Sequence, residues 1–136
     1  MHAMTLAPAP ATRVTKQALE AVYSAGHDLH ARGMYRQAAA VFRIMILSAP
    51  FDERGYIALG SCHEGLGEEE IALTIYETAI ETAATSAHSH VARARLLAGC
   101  SQRELAEEAF DEAERQAERE DDDYVRTLLA LERGRP

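Results

Sequence analysis

The chain has no tryptophan, no asparagine, one lysine and two cysteines among its 136 residues, and each shortage closes a route. Two cysteines do not make the disulfide framework of a small secreted domain. Cys62 and Cys100 fall in segments that read as helical and are expected as buried or partly buried free thiols. Only four prolines interrupt the chain, and it lacks Val/Ile/Thr runs with period-two alternation, so strands are not expected. No stretch approaches about 18 uninterrupted apolar residues, and the opening lacks a basic segment ahead of a long apolar core. Neither membrane insertion nor a signal peptide is expected, which points to the cytoplasm. Basic residues are few: the net charge is −8, and Glu104 to Asp123 holds eleven acids against two arginines. A nucleic acid is a poor partner for a chain without a basic face. The acidic run at Glu118, Glu120, Asp121, Asp122 and Asp123 reads as a solvated helix end and turn.

Catalytic machinery is also missing. Ser61, Cys62 and His63 are consecutive on one helix and so point in different directions, which defeats a triad. Gly65-Leu66-Gly67 is a turn, not a phosphate loop. His27, His30 and His88 share a face by register, but no acid or cysteine completes a metal-ligand set around them. The chain reads as a non-enzyme with no metal and no cofactor.

What the sequence does contain is a pattern repeated at a spacing of 34 residues. Val22, Ala25, Gly26, Leu29, Gly33, Ala38, Phe42 and Met45 recur as Tyr56, Leu59, Gly60, His63, Gly67, Ala72, Tyr76 and Ala79. A further step of 34 reaches His90, Arg93, Ala94, Leu97, Ser101, Ala106, Phe110 and Ala113. This period and order of small and large residues resembles the tetratricopeptide repeat, a helix–turn–helix unit that stacks into a superhelix. The expected fold is all-α: a right-handed superhelix of three repeats at about 19–52, 53–86 and 87–120, closed by a capping helix at about 121–133. Residues 13–136 form one domain in this reading, and the Ala/Pro-rich residues 1–12 read as a disordered arm. Gly26, Gly60 and Ala94 mark close helix crossings, Gly33 and Gly67 the reversals, and Phe42, Tyr76 and Phe110 the filling between neighbouring repeats.

The remaining face of each first helix should line a concave groove. Register places Tyr23, Ser24, His27 and His30 there from the first unit, Arg54, Ile57, Ala58, Ser61 and Glu64 from the second, and His88, Val91 and Arg95 from the third. Apolar and small residues mixed with a few polar ones suit an extended peptide. The lysine and asparagine pairs that clamp the C-terminal carboxylate of heat-shock chaperones are absent: there is no asparagine, and Lys16 precedes the repeats. Separately, Val41 to Leu47 is apolar nearly all round, so Val41, Ile44 and Leu47 predict a covered surface, met by an N-terminal helix from about Val14 or by a second subunit in a weak homodimer.

Arg36 to Ala84 carries more specific pieces: Ala-Val-Phe at 40–42, Leu-Ser-Ala-Pro-Phe-Asp at 47–52, Leu-Gly-Ser-Cys-His at 59–63 and Ile-Ala-Leu-Thr-Ile-Tyr-Glu-Thr-Ala at 71–79. In these the chain resembles the class II chaperones of type III secretion, the LcrH/SycD type. The resemblance implies a cytoplasmic chaperone whose groove takes an extended segment of a hydrophobic translocator protein and keeps that protein soluble before export. The alternative from the repeat architecture alone is a general scaffold or regulatory adaptor for folded partners.

Overall fold

The computed structural model describes residues 14–83 and 86–134. The arm expected over residues 1–12 lies outside the described residues. Among those described, all regular structure is helical: α1 (Lys16–Ala31), α2 (Tyr35–Ser48), α3 (Glu53–Gly65), α4 (Glu69–Thr82), α5 (Ala87–Gly99), α6 (Arg103–Glu120) and α7 (Asp123–Arg133). Helix α1 packs on α2, α3 on α4 and α5 on α6; these hairpins stack through α2 on α3 and α4 on α5. Helix α7 closes the stack against α6 and α5.

The two helices of each hairpin begin differently. Every odd-numbered helix has a side-chain cap: Thr15 accepts from the Ala18 N–H, Asp52 from Arg54, Ser86 from His88 and Asp122 from Val125. Such oxygens satisfy donors that the first helical turn leaves unpaired. The even-numbered helices have no such bond and follow directly from a tight reversal. That reversal recurs three times with one geometry. Gly33 and Gly67 both have φ of +75°, and Ser101 has φ of +61°. The amides of Met34, Glu68 and Gln102, one residue later, donate to the carbonyls of Leu29, His63 and Leu97. A left-handed residue followed by this backward bond is the Schellman ending of a helix, which favours glycine. The third hairpin makes the same turn with serine.

Close crossings set the hairpin spacing. A Cβ on Gly26 would lie 2.5 Å from the Phe42 ring, and one on Gly60 would lie 2.2 Å from the Tyr76 ring. In the first two hairpins the aromatic of the second helix therefore turns back onto the glycine of its own hairpin, in addition to the inter-repeat role expected for it. Phe42 and Met45 are buried with Ala58, Leu59 and Cys62 of the next hairpin. A second cluster joins Val91, Ala94, Leu97, Phe110 and Ala113 to Val125 and Leu129 of α7. Without α7 this alanine-rich face would meet water.

Two expectations need correction. No helix precedes α1 among the described residues, and α1, the first helix of the first hairpin, does not cover the outer side of α2. Ile44 stays 54% exposed and Leu47 84% exposed, with Phe51 beyond them at 72%, while Val41 is half-buried. Cys62 is a buried free thiol as expected, but Cys100 is exposed at the C-cap of α5 because the helix ends one residue earlier.

Candidate peptide-binding groove

Helices α1, α3, α5 and α7 lie side by side, and a cavity of about 520 Å³ opens across all four. Its apolar lining is Tyr23 from α1, Ile57 from α3, Val91 and Ala92 from α5, and Leu128 from α7. Glu53, Arg54, His88 and Arg95 supply its charge and polarity. A second cavity of about 390 Å³ continues from it, sharing Ile57, Ala92 and Arg95 and adding Ser61, Glu64 and Tyr76. The two make one elongated depression on the first helices of the hairpins.

The polar groups of this surface hold the hairpins in register. The Arg54 guanidinium donates to both Asp52 oxygens, at 3.1 and 2.8 Å, and reaches back to Glu20 of α1 at 2.8 Å. It also stands 4.7 Å over the Tyr23 ring, so the cation both joins α1 to α3 and holds an aromatic of the groove. Its hydrogen bonds keep the Asp52 carboxyl below the usual carboxylate range, whereas burial raises the Tyr23 phenol. Glu53 does the matching work between α3 and α5. Its carboxylate accepts from the Ser86 amide at 3.1 Å, from the Ser86 hydroxyl, and from the fully buried Ser89 hydroxyl at 2.6 Å. From the other side Glu120 accepts from the Ala87 amide at 3.1 Å. Two carboxylates thus meet the positive end of α5, where negative charge is favoured. Deeper in the second cavity the Tyr76 hydroxyl donates to the Glu64 carboxylate, and burial together with that bond raises the Tyr76 phenol.

Of the expected groove residues, Tyr23, Arg54, Ile57, Ser61, Glu64, His88, Val91 and Arg95 line these two cavities. Four do not. Ala58 is buried in the core between hairpins, on the inward side of α3. Ser24 is exposed beside the cavity without lining it. His27 lies edge-on to Tyr23 and Phe42, and His30 meets the Ser61 hydroxyl at 2.9 Å and stacks edge-on with Tyr35. His27 is exposed and both histidines touch cavity-lining side chains, Tyr23 and Ser61, without lining the cavities themselves. His88 is separate, 4.0 Å from Asp122, and no group of three or more metal-ligating side chains converges among the described residues. Glu53, Tyr76 and Leu128 line the groove unanticipated. Leu128 had a signal, since Tyr124, Leu128 and Leu131 repeat at helical spacing, but nothing in that spacing says which helices α7 lies beside.

No protein-family model matches the chain. Over 63 residues the chain is 27% identical to the low calcium response locus protein H of Yersinia pestis, a stretch that covers 46% of this chain and 38% of that protein. Solved structures agree over far more of the chain. The type III secretion translocator chaperone SycD of Yersinia enterocolitica superposes with a TM-score of 0.72 over 86% of this chain and 91% of its own, at 20% identity. PcrH of Pseudomonas aeruginosa superposes with a TM-score of 0.74 over 86% and 89%, also at 20% identity. The chain shares its fold with these two proteins. PcrH bound to the chaperone-binding region of PopD gives a TM-score of 0.72 over 86% of both chains at 22% identity, so the fold is shared with a peptide-loaded relative. No described helix of this chain is long and apolar enough to cross a membrane.

Proposed function

We propose that the protein is a cytoplasmic, non-enzymatic chaperone of type III secretion that holds an extended segment of a hydrophobic translocator protein in its groove and keeps that protein soluble before export. The observation that carries this reading is the apolar depression lined by Tyr23, Ile57, Val91, Ala92 and Leu128, in a fold shared with proteins solved around translocator peptides. An extended chain alternates its side chains and so presents apolar anchors to one such surface at every second residue. The exposed outer side of α2 supports a weak homodimer through Ile44 and Leu47, since apolar side chains at successive turns of one helix favour a covered state.

Co-expression with a hydrophobic translocator protein of a type III secretion system tests the main reading. The wild-type chain should keep that protein in the soluble fraction, and Tyr23→Asp combined with Ile57→Asp should release it to the pellet while the chaperone itself remains folded. Equal insolubility with both forms would favour the scaffold alternative.

A further inference from the structure

The charges that line the groove are almost all consumed within the protein. Arg54 is engaged by Asp52 and Glu20 and Glu53 by Ser86 and Ser89, while the exposed Glu64 accepts from the Tyr76 hydroxyl. Arg95 differs. It lines both groove cavities and a third, smaller one bounded by Glu64, Glu69 and Leu96. It meets Glu132 of α7 through Nε at 3.4 Å. The exposures are unequal: the Arg95 side chain is 55% accessible against 11% for Glu132. The cation faces the groove while its carboxylate partner is tucked beneath it.

A guanidinium offers five donors in a planar fork, and a carboxylate fits two of them side by side. We propose that Arg95 is the specificity-determining cation of the groove, selecting a bound segment that carries an aspartate or glutamate beside its apolar anchor. This rests on the groove reading above. An apolar side chain in the cavity of Ile57, Val91 and Leu128 places the next same-side residue of an extended chain two positions along. In one of the two chain directions that position runs toward the second cavity, where Arg95 forms the shared wall. The surrounding acidity sharpens the choice. A protein of net charge −8 repels acidic segments at long range, so an acidic residue is accepted only where a local cation meets it.

The test is a random 12-residue peptide library displayed on phage and panned against the full chain as wild type, Arg95→Gln, Arg95→Glu and Ile57→Asp. Wild type should enrich apolar residues with Asp or Glu at one fixed offset. Arg95→Gln should keep the apolar anchors and lose the acidic preference, and Arg95→Glu should shift that offset toward Lys or Arg. A synthetic peptide of the enriched sequence should bind wild type about five- to tenfold more tightly than its Asn or Gln counterpart, with Arg95→Gln abolishing the difference. Circular dichroism melting of Arg95→Gln within a few degrees of wild type keeps folding out of the comparison. An offset with no charge preference, or the same preference on all Arg95 variants, overturns the role of Arg95 while leaving the groove standing. Apolar selection that survives Ile57→Asp unchanged overturns the groove reading and this assignment with it.

Discussion

Single residues decide how each hairpin turns. Positions 33, 67 and 101 share one left-handed geometry, but only the first two are glycine. Serine in that region is strained by its Cβ against the carbonyl, at about 1–2 kcal/mol. Ser101→Gly should therefore stabilise the protein by about 0.5–1 kcal/mol after the added chain entropy of glycine, and Gly33→Ala should destabilise it by about 1 kcal/mol. Opposite shifts in urea midpoint check the pair. The two thiols divide in the same residue-level way. Burial pushes the Cys62 thiol up to about 11, whereas Cys100 is exposed. A thiol reagent at neutral pH should modify one cysteine rapidly, Cys100→Ser should remove that fast phase, and Cys62 should react only on unfolding.

At the scale of elements, polar ties between helices hold the groove open at a set width. Helix α5 receives Glu53 from α3 and Glu120 from α6 at its first turn. Glu53→Ala leaves the buried Ser89 hydroxyl without its acceptor and should cost about 1–3 kcal/mol, read as a lower midpoint in denaturant with an unchanged slope. These ties were poorly legible in the sequence, because Glu53, Ser86, Ser89 and Glu120 follow no local rule that pairs them. The helices themselves were legible. The glycine turns recur with the repeat, and the apolar spacing repeats with it. Helix α7 stood between: its apolar positions showed in the pattern, but its place beside α5, with Leu128 in the groove, did not.

Over the whole molecule, surfaces rather than contacts carry the function. The outer side of α2 exposes Ile44 and Leu47 together with Phe51, a larger apolar area than an isolated stack requires. Ile44→Glu with Leu47→Glu should leave the melting temperature nearly unchanged, since both side chains already meet water, and should abolish concentration-dependent mass in light scattering. Wild-type mass that is monomeric at every concentration would exclude the homodimer. The groove lies on the odd-numbered helices, so loading and self-association occupy different surfaces and need not compete.

The sequence by itself determined the helical class, the 34-residue period and the turn positions, and its register put eight of the twelve expected groove residues around the two cavities, because these follow from spacing along a single helix face. Tertiary structure decided the rest. It buried Ala58, set His27 beside Tyr23 and Phe42 and His30 against Ser61, brought Leu128 in from a helix outside the repeats, and left the Arg95 side chain more than half exposed at the cavities with Glu132 beside it. Those outcomes depend on how far one hairpin rotates against the next, and on which carboxylate reaches which cation first. Neither is a property of any one stretch of chain.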